Sequence, residues 1–153
     1  MIPHKSKAHR GGEDAFVATD NFLAVADGVG GWVNNGIDSG LFSKRLIWDM
    51  KRLHSEDNGE ELKNILVEAV KAHTRIGTST AVLVKFDTQR PDFIKTTNLG
   101  DSGYVLFRPK EQADGKYGLE KVFRSVSQQY EFNFPYQCGT DPKLPYDAFD
   151  TEH

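Results

Sequence analysis

The sequence predicts an α+β fold, in which helices pack against largely antiparallel sheets. Three observations predict it: two short strands joined by a turn come first, two amphipathic helices follow, and a series of strands separated by turn residues comes last. With 153 residues, 38% of them hydrophobic, the chain is long enough to bury one core of its own. We therefore expect a single domain over residues 1–153.

The first two strands are predicted at residues 15–19 and 22–26, with Asp20-Asn21 as the hairpin turn between them. The second stretch is almost wholly apolar, so we expect both faces of that strand to be covered. Residues 27–36 follow directly and contain four of the fourteen glycines. This glycine content predicts a loop at the end of the hairpin.

The two helices are predicted from capping residues and apolar spacing. Asp38 and Ser39 suit the N-cap of a helix that runs to about residue 54. A second helix, over about residues 60–74, has apolar residues on one face, and His73 continues that face. Later strands are predicted at residues 80–86, 93–98, 103–108 and 119–125. Beyond residue 134 the chain is rich in turn residues and shows no clear closing element.

Charge and cysteine content exclude several classes of partner. The net charge of −3 and the pI near 5.9 give no basic surface for nucleic acid or an anionic membrane. No apolar run is long enough to insert into a membrane, and no secretory signal is apparent. One cysteine, Cys138, cannot form an internal disulfide and is expected to be inert. We therefore predict an intracellular protein.

Three carboxylates are predicted to meet at one end of the hairpin. Glu13 and Asp14 open the first strand, and Asp27 closes the second, so folding one strand back on the other brings them together. Carboxylates that converge repel each other unless a cation compensates them, and all-oxygen ligation suits Mg²⁺ or Mn²⁺. The alternative, on spacing alone equally good, is that Asp and Gly at strand ends simply form turns.

Two other interpretations are weaker. The glycines of the 27–36 loop resemble part of a dinucleotide-binding fingerprint, but that fingerprint requires a glycine where Val33 stands, and no βαβ unit surrounds it. A nucleophile at Ser79 or Ser102 would need a histidine held by an acid, which the local sequence does not offer. His73 is expected to pack at a helix end and not to bind a ligand.

Four motifs then resemble, in the right order, those of the metal-dependent (type-2C, PPM) protein serine/threonine phosphatases. They are Gly12-Glu13-Asp14-Ala15-Phe16, Val25-Ala26-Asp27-Gly28-Val29-Gly30-Gly31-Trp32, Gly77-Thr78-Ser79-Thr80-Ala81 and Asn98-Leu99-Gly100-Asp101-Ser102-Gly103. The opening Ile2-Pro3-His4 and the segment 130–135 are similar to the branch that includes the animal mitochondrial matrix phosphatase and its plant and fungal relatives. The resemblance covers most of the chain.

The resemblance implies a four-layer α/β/β/α sandwich of two antiparallel sheets flanked by helices, with a two-metal site at one end. In family terms Asp27 would bridge both ions, Glu13 would ligate one, and Gly28 would contribute its main-chain carbonyl. Asp14 would hold metal-bound water, and Asp101 would match an acid that helps to bind a third ion in some members. The expected cofactors are Mg²⁺ or Mn²⁺, two ions per complete site.

The implied activity is metal-dependent hydrolysis of phosphoserine and phosphothreonine in proteins, by a hydroxide that bridges the two metal ions. The implied partner is a phosphoprotein substrate. Many members place an arginine four residues before the glutamate to bind phosphate. His9 stands there in this chain, so Arg10 or Lys7 is expected to take that role.

The family's later metal motifs are absent from residues 1–153: an Asp-Gly pair, and a closing Asp-Asn or Asp-Asp pair. We therefore expect the chain to be the N-terminal part of one catalytic domain and to be inactive by itself. The alternative is a non-catalytic, phosphatase-like binding module. Cytoplasmic location is expected, and the mitochondrial matrix is the alternative because the similar branch includes a mitochondrial phosphatase.

Overall fold

The computed structural model describes residues 2–56, 61–140 and 150–151. The helices are α1 (Ser39–Ser55) and α2 (Leu62–Lys71), and two short 3-10 helices cover Lys5–Arg10 and Gly30–Asn35. The strands, in chain order, are β1 (Asp14–Ala18), β2 (Phe22–Asp27), β3 (Thr78–Ser79), β4 (Ala81–Phe86), β5 (Ile94–Leu99), β6 (Val105–Glu111), β7 (Tyr117–Arg124), β8 (Gln129–Glu131), β9 (Phe134–Pro135), β10 (Cys138–Gly139) and β11 (Asp150–Thr151).

The main sheet has five strands in the order β1-β2-β4-β5-β11, and every neighbouring pair is antiparallel. The predicted hairpin of β1 and β2 is confirmed, with Asp14 directly opposite Asp27. Three two-stranded sheets accompany it: β3 with β10, β6 with β7, and β8 with β9. The predicted α+β class with antiparallel sheets is therefore confirmed.

The core lies between the helices and one face of the main sheet. Along β2, Phe22, Ala24 and Ala26 are buried, whereas Leu23 and Val25 are exposed. The prediction that β2 is covered on both faces is therefore wrong for the described residues. Its physical reason is that α1 and α2 both pack against the same face.

Helix α1 begins as predicted, since the side chain of Asp38 accepts a hydrogen bond from the Gly40 N–H at 3.0 Å. Its buried residues include Phe42, Leu46 and Met50, which follow helical spacing. Helix α2 buries the predicted apolar face and ends at Lys71, three residues before the predicted end. Its predicted start at residue 60 lies outside the described residues. No helix of the described part is long and apolar enough to cross a bilayer.

Two predictions about irregular segments are corrected. The 27–36 segment is not a plain loop, because a 3-10 helix forms over Gly30–Asn35. The region after residue 134 contains strands, of which β10 pairs with β3 and β11 pairs with β5. Two-residue strands are too short to show a period in the sequence, so their pairing is decided by tertiary contacts.

Candidate metal and phosphate site

The hairpin of β1 and β2 positions three carboxylates at one end of the main sheet. Asp14 and Asp27 are cross-strand partners, and Glu13 immediately precedes β1. The carbonyl of Glu13 accepts hydrogen bonds from the Gly28 N–H, at 3.1 Å, and from the Ser43 hydroxyl of α1. The main chain of Glu13 is thus fixed both by the opposite strand and by the helix layer.

Gly28 is required at the point where β2 meets α1. A Cβ atom at this position would lie 2.6 Å from the carbonyl oxygen of Ser39 and 2.8 Å from that of Glu13. Both oxygens belong to the main chain, so neither can move aside without shifting a helix or a strand. Glycine therefore lets the two backbones approach and keeps Glu13 and Asp27 close together.

Asp27 lies close to the carboxylates of Glu13, Asp14 and Asp101. Its carbonyl accepts hydrogen bonds from the Thr80 N–H at 3.0 Å and from the Ser79 hydroxyl at 2.9 Å, which fixes the end of β2. The pKa of Asp27 is raised to about 6, chiefly by burial, with contributions from a hydrogen bond with Asp14 and from the charges of Asp14, Asp101 and Glu13. Asp101 thus lies near enough to Asp27 for its charge to act on that carboxylate.

These side chains open into a cleft of about 420 Å³. Lys7, from the first 3-10 helix, enters it and forms an ion pair with the Glu13 carboxylate. Arg10 is not among the residues that line the cleft. Its carbonyl accepts a hydrogen bond from Lys44, and its Nε atom is buried without a hydrogen-bond partner among the described residues. Of the two basic candidates, the structure brings only Lys7 to the carboxylates.

The donor set suits a hard divalent cation. The available donors are the carboxylates of Glu13, Asp27 and Asp101 and the Gly28 carbonyl, which are all oxygen. Within the part of the chain that the structure describes, no three His, Cys, Asp or Glu side chains are grouped as a ready metal site. The chemistry of the donors therefore fits Mg²⁺ or Mn²⁺, although the described residues do not complete a coordination sphere.

The structure adds residues that the carboxylate pattern did not predict. Thr80, Asn133 and Pro135 also line the cleft. Asn133 adopts a positive φ of 58° in the tight connection between β8 and β9, a conformation that asparagine tolerates better than most residues. A Phe-Asn-Phe turn is the one local signal that points to this hairpin, but nothing in it indicates a position beside Asp27.

The two residues that were expected to have no ligand-binding or reactive role, His73 and Cys138, are buried. His73 is buried, and its ring stacks on Phe42 with 4.0 Å between centroids. Cys138 is buried, and burial raises the pKa of its thiol to about 12, so the reactive thiolate is suppressed. His54 is half-buried and stacks on Phe22, with 4.4 Å between the ring centroids.

Comparison with known proteins agrees with this arrangement of motifs. No family model matches the chain. It is 36% identical over 148 residues to probable protein phosphatase 2C 71 of Oryza sativa subsp. japonica, covering 93% of the chain and 29% of the relative. It is 38% identical over 152 residues to probable protein phosphatase 2C 55 of Arabidopsis thaliana, covering 94% and 30%.

A solved structure, the photosystem II phosphatase PBCP, superimposes with a TM-score of 0.82 at 28% identity, over 97% of this chain and 56% of that one. Over more than nine-tenths of its length the chain is similar to phosphatases of the protein phosphatase 2C family. It is also 33% identical over 158 residues to the protein phosphatase PTC7 homolog fig of Drosophila yakuba, covering 96% of the chain and 46% of that relative. The predicted resemblance, including its branch, is confirmed.

The protein phosphatase 2C family is generally dependent on Mg²⁺ or Mn²⁺. The chain spans 29% to 46% of the length of these curated relatives, and 56% of the solved phosphatase. The two-layer arrangement of helices and one main sheet described above is therefore the counterpart of part of the family fold.

Proposed function

We propose that residues 1–153 form the N-terminal part of a catalytic domain that hydrolyses phosphoserine and phosphothreonine in proteins. The observation that carries this proposal is that Glu13, Asp27 and Asp101 line one cleft, and that Asp14, which does not line it, is hydrogen-bonded to Asp27. The cleft lies at the end of the β1–β2 hairpin, and the chain is similar to protein phosphatases 2C over nearly its whole length.

Asp27, Glu13 and the Gly28 carbonyl would hold the metal ions of the complete site, two Mg²⁺ or Mn²⁺, and Asp101 would serve a third. Such ions, when bound, supply Lewis-acid activation of water and neutralise charge that builds up on the phosphoryl group. The burial of Glu13 and the fixed main chain around Gly28 support this assignment, because both preorganise oxygen donors.

The chain's own side chains would bind and orient the phosphate ester. The Lys7 ammonium lies in the cleft, where it would donate hydrogen bonds to phosphoryl oxygens and stabilise the charge of the transition state. Asp14, hydrogen-bonded to Asp27, would orient that carboxylate and the attacking water. Arg10, which lies outside the cleft lining, is the alternative phosphate-binding residue of the same 3-10 helix.

A second candidate function is a non-catalytic binding module with a phosphatase-like fold. One observation favours it: the described residues hold no ready group of three metal-ligating side chains. In either case we propose an intracellular protein, cytoplasmic or in the mitochondrial matrix, whose partner is a phosphoprotein.

The test assays the 153-residue chain and the full product of its gene on a phosphothreonine peptide, with Mn²⁺ and with a chelator. We expect metal-dependent release of phosphate from the full product and no meaningful turnover by the chain alone, because carboxylates beyond those described are needed. A full product without turnover would favour the binding module. Robust turnover by residues 1–153 would show that the site is complete without further acids.

A further inference from the structure

A second cleft, of about 350 Å³, adjoins the cleft lined by Glu13, Asp27 and Asp101, which we call the carboxylate cleft. The two share Asp101, which lines both. The second cleft is built from the segment that follows β5 and from the end of β7, and nothing in the proposed catalytic chemistry uses it. Its lining residues are Asp101, Ser102, Gly103, Tyr104, Val105, Arg124, Ser125 and Ser127.

Arg124 provides the positive charge of this cleft. It is the last residue of β7, opposite Val105 of β6, and it is exposed. Among the described residues, no carboxylate forms an ion pair with it. Its guanidinium carries five N–H donors in a planar fork that matches the oxygens of a carboxylate or a phosphate. Arg124 is therefore available to an anionic ligand.

Two serine hydroxyls beside Arg124 are left with a proton to donate. The Ser125 oxygen accepts a hydrogen bond from the Tyr104 N–H at 2.9 Å, and the Ser127 oxygen accepts one from the Gln129 amide at 2.7 Å. Because each oxygen already accepts from an N–H group, its own O–H remains to donate to a ligand. A donor of this kind prefers an anionic acceptor.

Gly103 keeps the Ser125 hydroxyl accessible. A Cβ atom at this position would lie 2.4 Å from the Ser125 oxygen, so any larger residue would displace that side chain. The cleft therefore combines a guanidinium that has no ion-pair partner among the described residues, two hydroxyl donors and a glycine that leaves space beside Ser125. This combination is suited to an anionic group of the size of a carboxylate or a phosphate.

We propose that the Arg124 cleft binds an anionic side chain of the substrate, a carboxylate or a second phosphate, next to the phosphorylated residue. The inference rests on the proposed function, because it takes the phosphoryl group to bind in the carboxylate cleft. Asp101 lies at the boundary of the two clefts, so the two anionic groups of the substrate bind on either side of it. The preferred substrate is then a phosphopeptide with an acidic flank.

The experiment measures peptide binding to the chain by fluorescence anisotropy in Mg²⁺, where the chain alone is expected to give no meaningful turnover, and phosphate release is monitored in the same samples. The peptides share one phosphothreonine, and the residues one to three positions away are Ala, Asp or phosphoserine. Wild-type protein is compared with Arg124→Gln and with the matched control Lys121→Gln, which removes the same charge from an exposed position of the same strand. Amide NMR shifts locate the bound peptide, and Ser127→Ala provides a second variant.

We expect the Asp or phosphoserine peptides to bind more tightly than the Ala peptide, with shifts at residues 101–105 and 124–127. Arg124→Gln should reduce that advantage by about tenfold, the effect of one hydrogen-bonded charge, and Ser127→Ala by less. Lys121→Gln should leave it intact. Equal affinities for all peptides, or equal losses in Arg124→Gln and Lys121→Gln, would overturn the proposal. Because the readout is binding and not turnover, an inactive phosphatase would not affect this result.

Discussion

At the residue scale, His73 shows how packing selects one protonation state. Its Nε2 atom lies 3.0 Å from the carbonyl oxygen of Phe42, and its Nδ1 atom accepts a hydrogen bond from the Arg75 N–H at 3.0 Å. The neutral ring with a proton on Nε2 satisfies both contacts. Burial lowers the pKa of His73 below its ordinary value of 6.5, because the charged ring would lose its hydration.

The lowered pKa of His73 predicts a loss of stability in mild acid. Below pH 6.5 the unfolded chain takes up a proton that the folded chain resists, so the free energy of unfolding falls until the lowered folded-state pKa is reached. Urea unfolding of wild type and His73→Gln between pH 7.5 and 5 should show a smaller loss for the variant. The exposed His9→Gln should behave like wild type. Identical pH dependence for all three proteins would contradict the assignment.

At the element scale, the β1–β2 hairpin and helix α1 are held together by a close backbone contact at Gly28. The carbonyl oxygens of Glu13 and Ser39 lie next to the space that a side chain at position 28 would need. Gly31, in the adjacent 3-10 helix, has nothing within 4 Å of the corresponding point. Alanine at either position removes the backbone freedom of glycine, but only Gly28→Ala also brings a side chain against the main chain. Comparing the two variants therefore separates the packing effect from the loss of backbone freedom.

Gly28→Ala should destabilise the chain by about 2 kcal/mol or more, in the range of substitutions that overfill a packed region. Gly31→Ala should stay within about 0.5 kcal/mol of wild type, as is usual for surface positions. Chemical denaturation of the two variants measures the difference. Equal stabilities would mean that the β2–α1 contact adjusts without cost and that Gly28 does not fix the site.

The elements also show which parts of the site a sequence can predict. Glu13, Asp14 and Asp27 are local to one hairpin, so the turn position and the strand period were enough to bring them together. Asn133 comes from a hairpin more than a hundred residues later in the chain. Its place beside Asp27 depends on tertiary packing of short strands that have no sequence period. The 3-10 helix at Gly30–Asn35 was missed for a similar reason, since its glycines favour many conformations.

At the scale of the whole molecule, the main sheet has one apolar face that the described residues leave uncovered. Phe16, Leu23 and Val25 are 57%, 36% and 40% exposed, and Phe16 lies opposite Val25 on the neighbouring strand. The curated relatives and the solved phosphatase are considerably longer than this chain. An apolar patch of this kind on a sheet promotes association with other surfaces.

We therefore expect the 153-residue chain to self-associate through this sheet face. The double variant Phe16→Lys with Val25→Lys should shift the chain toward monomer in sedimentation velocity, because it places two charges on the patch. The control is Tyr117→Lys with Leu119→Lys, at positions 74% and 73% exposed on β7, outside the main sheet. A wild-type chain that stays monomeric at high concentration would refute the expectation, as would equal effects of the two double variants.

For the molecule as a whole, we propose that the end of the β1–β2 hairpin is a divalent-cation site organised around Asp27. Calorimetric titration of Mn²⁺ into the chain tests it most directly, with Asp27→Asn compared with Asp20→Asn at the opposite, exposed end of the hairpin. Wild type and Asp20→Asn should bind Mn²⁺ equally. Asp27→Asn should bind it more weakly by at least the roughly 10- to 100-fold lost with partners outside a coordination sphere. Unchanged Mn²⁺ affinity in Asp27→Asn would contradict the account.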